Sequence, residues 1–305
     1  MKKILWFAVI LICAALCVGT FGYGEGLEIG SRAHAASLPF SKSEEIELPI
    51  VMYHSVLKSK KGKYTIHPDE LERDIVRYIE MGYTPVTLRA VADWVGGDAG
   101  GAGVTGVGGG ADLPEKPMVI TFDDGHYNNL YYALPILKKH GCPAVVNVVT
   151  SFSRFSSETA GEAHNPNYSS LTWDDIRELH DSGLVEIGNH THAMHKFKPR
   201  YGIAQVSGET VDAYRQAIKT DLETANRYLV DSARVPCPIT FAYPFGKYTR
   251  EGREVLQELG FRAILTCNEG VSKIRRGDPT SLLELKRYNR SGNEGHERFM
   301  KRVFG

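Results

Sequence analysis

Between residues 118 and 266, short apolar runs alternate with stretches of helical periodicity, and this alternation limits the chain more than any other feature. The runs lie at 118–122, 144–149, 184–187, 239–243 and 261–266, each too short for a helix and bounded by polar or glycine-containing segments. Between them, residues 128–140, 173–182, 209–229 and 250–259 read as helices, the second with Thr172 as its N-cap and preceded by a loop rich in Ser, Asn and Pro. The pattern begins earlier, with a strand at 48–53, a helix at 68–81 and a strand at 84–87. Leu71, Ile75, Tyr78 and Ile79 form the apolar stripe of that helix and Gly82 stops it. A segment at 282–285 and a helix at 296–303 complete it. Parallel strands need a crossover, and a helix is the usual one, so these are βαβ units. About seven of them predict an α/β fold: a closed or nearly closed (β/α) barrel, with a doubly wound open sheet as the alternative. In either, chemistry sits on loops after the carboxyl ends of strands.

The 305 residues are 42% hydrophobic and 24% charged, enough for one folded domain over 48–305. Lys and Arg number 36, as do Asp and Glu, so the overall charge gives no sign of a nucleic-acid partner. Lys2 and Lys3 precede an apolar run at 4–18, and Ala33-His34-Ala35-Ala36 offers a small-residue cleavage site. Residues 1–35 therefore read as a signal peptide, or as a membrane anchor if uncleaved, with a linker at 36–47. The body is expected outside the cytoplasm, secreted or attached to the membrane's outer face. Residues 96–110 are dominated by glycine, lack the phosphate-loop pattern and read as a flexible insertion. Beyond the export segment lie Cys142, Cys237 and Cys267, which allow at most one disulfide and match no cysteine metal motif. Cys142 and Cys237 read as core residues.

Three strand ends carry reactive side chains. Asp123-Asp124-Gly125 follows 118–122, His190-Thr191-His192-Ala193-Met194-His195 follows 184–187, and Tyr243-Pro244-Phe245-Gly246 closes 239–243. Side chains alternate along a strand, so two adjacent aspartates face different ways. That suits divided labour, one carboxylate holding a metal and the other taking a proton from water. One carboxylate and two imidazoles form a common catalytic zinc set. His190 and His195 would sit about 140° apart on a helix, so they converge only on a loop. His192 is a rival ligand on spacing alone.

These residues resemble a known family. Thr121-Phe122-Asp123-Asp124-Gly125, His190-Thr191 with His195, and Tyr243-Pro244-Phe245-Gly246 are similar to the three main motifs of the NodB-type polysaccharide deacetylases, carbohydrate esterase family 4. Met52-Tyr53-His54 resembles the opening of the branch that acts on poly-N-acetylglucosamine-type polymers. That branch spaces its histidine ligands five apart, which favours His195 over His192. The resemblance implies a distorted (β/α) barrel with a divalent metal, usually zinc, on Asp124, His190 and His195. It implies Asp123 as general base and the backbone N–H of Phe245 as a donor to the oxyanion. The implied reaction is hydrolysis of N-acetyl groups on an amino-sugar polysaccharide of the cell envelope, releasing acetate. An O-acetyl esterase on acetylated xylan or a similar glycan, and a non-catalytic glycan binder, are the alternatives. A two-carboxylate glycosidase would leave the histidines unexplained.

Two positions depart from the family pattern. Ala242 stands where many members have an arginine that tethers the base, so Asp123 needs another partner. His296 fits the family's late histidine poorly and reads as a surface residue. His54, after the first strand, is the candidate to line the site, and the acid that protonates the leaving amine is unassigned. Trp173, Tyr168 and Tyr127 are candidates to stack on sugars, whereas Trp94 reads as helix packing.

Overall fold

A computed structural model of the chain describes residues 44–59, 61–97, 112–159 and 164–305. The export segment and nearly all of the glycine insertion expected from the sequence lie outside the described residues. In chain order come β1 (Glu45–Leu48), β2 (Ile50–Tyr53), β3 (Ser55–Val56), β4 (Thr65–Ile66), α1 (Pro68–Glu80), β5 (Thr84–Pro85) and α2 (Leu88–Gly96). Next are β6 (Pro117–Phe122), a π-helical turn (Asn129–Ala133) running into α3 (Leu134–His140), β7 (Ala144–Val148), α4 (Thr150–Thr159), α5 (Trp173–Asp181) and β8 (Val185–Asn189). The chain continues through α6 (Val211–Arg227), β9 (Thr240–Ala242), α7 (Arg250–Glu258), β10 (Ala263–Leu265), β11 (Ser272–Arg275), β12 (Tyr288–Asn289) and α8 (His296–Phe304).

The main sheet runs β10-β9-β8-β7-β6-β2-β12, every neighbour parallel, with β5 added beside the start of β6. Its two edges meet through the stretch before and after β12. The N–H of Leu285 donates to Ile264 O at 2.9 Å and that of Thr266 to Leu285 O at 2.9 Å. On the other side the Arg290 N–H donates to Met52 O at 2.9 Å. The ring is thus joined on both sides of residues 285–290, which makes it a distorted (β/α) barrel and not an open sheet.

Strand parity then sorts the side chains. Met118, Ile120 and Phe122 of β6 pack with the apolar faces of α1, α3 and α5, while Val119 packs with Val145, Ala242 and Leu265 in a second cluster. Thr121 and Asp123 share the parity of Val119, so Asp123 is directed to the barrel interior. All six residues of β6 are buried, as expected of a strand covered on both faces.

Three local expectations change. The folded domain begins by Glu45, inside the expected linker, because β1 pairs antiparallel with β11. The Ser-rich segment after β7 is helical as α4, tied to the fold by Thr150 Oγ1 with His192 Nδ1 at 2.9 Å and by Ser156 Oγ donating to Ser170 O at 2.7 Å. Cys142 is buried, but Cys237 is exposed and not a core residue.

Candidate metal centre

The strand ends converge as the topology requires. Asp124 leaves β6 with φ 73°, a left-handed conformation unusual for a residue with a Cβ, and Gly125 continues the turn at φ 68°. This reversal separates the two aspartates: Asp123 stays inside the barrel and Asp124 turns to its mouth. Asp124 Oδ1 lies 3.5 Å from His190 Nε2 and 3.2 Å from His195 Nε2. The ligand atoms of Asp124, His190 and His195 all fall within 4.8 Å of one another. Two atoms bonded tetrahedrally to one cation at about 2.0–2.2 Å are about 3.4 Å apart, so both contacts with Asp124 suit a shared zinc-sized ion.

The surrounding groups prepare these ligands. His190 is buried, and its Nδ1–H donates to Ala242 O at 2.7 Å, which leaves Nε2 with its lone pair facing Asp124. The loop carrying His195 is clamped from α6. Asp221 Oδ1 and Oδ2 accept the N–H groups of His192 and Ala193, each at 2.8 Å. Thr191, at φ 77°, donates its N–H to Asn189 Oδ1 at 2.7 Å. The rival His192 is drawn away from the ligand set: its Nδ1 pairs with Thr150 Oγ1 at 2.9 Å and its ring stacks on Tyr228.

Burial alone would raise the Asp124 carboxyl, but the imidazoles of His126, His190 and His195 around it hold it well below the usual carboxylate range. His126 was not singled out in the sequence. Its Nε2 stands 3.4 Å from Asp124 Oδ2, the other oxygen of the carboxylate, and its position two residues past Asp124 is the one signal that pointed to it.

Asp123 is 2% exposed, and its Oδ1 accepts from Asn147 Nδ2 and from Arg287 Nη1, each at 2.8 Å. Burial works against ionisation here too. The Arg287 guanidinium outweighs it and holds the carboxyl down at about 2. Arg287 is itself fixed, fully buried, with Nε donating to Thr266 O at 2.9 Å. Asp123 thus has an arginine partner, though not from position 242. Both hydrogen bonds to Asp123 use Oδ1, which leaves Oδ2 as the oxygen to meet a water.

Phe245 has φ 58° in a turn closed by the N–H groups of Gly246 and Lys247. A Cβ on Gly246 would stand 2.7 Å from Cys267 Cβ, so this turn needs glycine there. The Phe245 ring lies 4.5 Å from the His195 ring, placing the turn against the ligand set. His54 follows β2, packs its ring at a tilt against Tyr64 with centroids 4.7 Å apart, and buries an Nδ1 with no hydrogen-bond partner. Burial lowers its pKa against the pull of Asp124 and Asp123. Among the sequence's sugar-stacking candidates, Trp173 is packed flat on Tyr228 at 5.5 Å and Tyr127 packs against the core, while Tyr168 is 70% exposed. Trp94 is buried on α2, as expected. His296 is not a surface residue: its Nδ1 pairs with the buried Asp74 at 2.8 Å, which anchors α8.

The profile of the family described as polysaccharide deacetylase matches residues 110–264. A poly-beta-1,6-N-acetyl-D-glucosamine N-deacetylase of Escherichia coli K12 is 28% identical over 226 residues, covering 65% of this chain and 30% of that protein. One of the same name from Staphylococcus aureus MRSA252 is 26% identical over 157 residues, 52% of this chain and 50% of that protein. The chain thus spans half or less of the length of these relatives. Among solved structures, IcaB from Ammonifex degensii superposes with a TM-score of 0.65 at 22% identity, covering 85% of this chain and 97% of that one. The Streptococcus pyogenes deacetylase PplD in complex with acetate gives 0.63 at 22%, covering 85% and 99%. At these identities the structural likeness speaks to the fold.

Proposed function

We propose, since this chain belongs to the polysaccharide deacetylase family, that it removes N-acetyl groups from an amino-sugar polysaccharide by hydrolysis, releasing acetate. The observation that carries this reading is the pairing of two adjacent carboxylates with separate environments: Asp124 among three imidazoles, Asp123 among Arg287 and Asn147. Asp124, His190 and His195 would hold a divalent cation, zinc by the nature of the ligands. Such a cation supplies positive charge that polarises an amide carbonyl and eases deprotonation of water. Asp123 would accept the proton of the attacking water at Oδ2, its ionisation kept by Arg287 and its orientation by Asn147. The backbone N–H of Phe245 would donate to the oxyanion formed at the acetamide. His54, whose Nδ1 is buried without a hydrogen-bond partner, would line the site beside the two aspartates. The names of the curated relatives favour a poly-N-acetylglucosamine as the polymer. The apolar run at 4–18 supports a polymer of the cell envelope as the substrate.

The test combines metal content with acetate release from N-acetylglucosamine oligomers for the wild type, Asp124→Ala and Asp123→Asn. We expect about one metal per chain with turnover in the wild type, loss of metal in Asp124→Ala, and retained metal without turnover in Asp123→Asn. A folded wild type that takes up no divalent metal under any loading condition overturns the reading.

A further inference from the structure

Beyond the ligands, the mouth of the barrel carries an unusual exposed feature. Phe197 is 70% exposed and Tyr201 38% exposed. With Phe245 they form a stack: Phe197 and Phe245 are 4.6 Å apart at 23°, Tyr201 and Phe245 5.0 Å at 19°, and Phe197 and Tyr201 5.6 Å at 22°. Three rings stacked nearly parallel cover part of one another's faces, and the outer faces of Phe197 and Tyr201 remain in water, where apolar area is costly.

The loop that presents them is built, not slack. The Arg200 guanidinium forks onto both carboxylate oxygens of Glu209 and also donates to Ala204 O at 2.7 Å. Gly202, at φ 59°, donates its N–H to Lys196 O at 3.0 Å. A Cβ there would stand 2.6 Å from Pro244 O, so the loop seats directly on the turn that holds Phe245. The cost of exposing Phe197 and Tyr201 is therefore built into a braced segment.

We propose that the stacked rings of Phe197, Tyr201 and Phe245 are a subsite for the pyranose ring next to the one whose acetamide reaches Asp124, His190 and His195. This rests on the deacetylase reading above and adds where the polymer lies. The stack starts at Phe245, whose ring is 4.5 Å from that of the ligand His195, so whatever lies on it lies against the reacting group. A pyranose offers an apolar C–H face that matches a flat aromatic surface and hydroxyls that stay in water at its rim. Lys247, whose Nζ is 5.9 Å from the Tyr201 ring, stands at that rim as a hydrogen-bond donor. A membrane or a partner protein covering the same rings would lie across the mouth through which substrate enters. The subsite thus predicts that the enzyme works on residues inside a chain and discriminates by length.

The experiment compares KM for acetate release from a dimer and a hexamer of N-acetylglucosamine in wild type, Phe197→Ala, Tyr201→Ala, Phe197→Leu and Phe197→Trp. The inference expects the hexamer KM to rise about tenfold in both alanine variants, equivalent to losing one good contact, with the dimer KM moving less. Phe197→Trp should restore the hexamer KM and Phe197→Leu should not, since a merely structural apolar role would accept leucine. Unchanged hexamer KM in both alanine variants overturns the subsite while leaving the deacetylase reading intact. If the wild type releases no acetate from any oligomer, that reading fails separately. Hexamer binding by calorimetry then decides: weaker binding in the alanine variants supports the subsite and equal binding overturns it. Loss of binding to phospholipid vesicles in the alanine variants, with hexamer KM unchanged, would mark the rings as a lipid-facing patch and also overturns it.

Discussion

Arg287 and Asp123, 164 positions apart in the chain, meet in the barrel interior, Nη1 to Oδ1 at 2.8 Å, with neither side chain more than 2% exposed. The arginine comes from the stretch that closes the ring, so closure of the fold and orientation of the proposed base are one event. Arg287→Met should lower turnover about 100-fold, the scale of a misplaced general base, while metal content is unchanged. It should also cost roughly 3–5 kcal/mol in urea unfolding, since a buried carboxylate loses its partner. Full turnover in a folded Arg287→Met would show that Asp123 needs no tether.

Acid stability provides a second check. The Asp123 carboxyl is held at about 2 against an ordinary 3.8, burial opposing the shift and Arg287 driving it. A carboxyl depressed in the folded state adds stability above its unfolded pKa and loses that stability as pH falls through the folded value. In the presence of chelator, thermal unfolding should therefore weaken as pH drops from about 4 to about 2, and Asp123→Asn should show a shallower slope there. Parallel slopes would mean the pair contributes nothing in that window.

Gly188 on β8 leaves room for Asn147, the other partner of the proposed base. A Cβ at this position would stand 2.1 Å from Asn147 Oδ1 and 3.4 Å from Thr240 Cγ2. Gly188→Ala should push Asn147 off Asp123, lower turnover about tenfold or more and cost about 1–3 kcal/mol of stability through overpacking. Steady-state acetate release and chemical denaturation measure the two effects. A variant with wild-type values of both would mean the strand shifts to absorb the methyl group.

Metal affinity separates the histidines and their supports. His195→Ala should abolish tight binding, whereas His192→Ala should leave stoichiometry at the wild-type value, because His192 is engaged by Thr150 and Tyr228. Asp221→Ala frees the N–H groups of His192 and Ala193 and should weaken metal binding about 10–100-fold, the usual scale for groups that orient ligands. Competition titration with a chromophoric chelator reads all three. Loss of metal in His192→Ala would reverse the ligand assignment.

Much of this protein is written locally. Alternation of short apolar runs with helical stretches determined a parallel α/β fold, because strand and helix periods are properties of neighbouring residues. Strand parity in β6 separated Asp123 from Asp124, and spacing brought His190 and His195 into consideration with them. What only the tertiary structure decided lies across hydrogen-bonded strands and between distant loops. It selected Arg287 and Asn147 as partners of Asp123, set His126 against the second oxygen of Asp124, and drew His192 off toward Thr150 and Tyr228. It also turned a Ser-rich segment into α4 and braced Phe197 and Tyr201 beside Phe245. Such contacts depend on ring closure and on loop packing between residues far apart in the chain, and no local period encodes either.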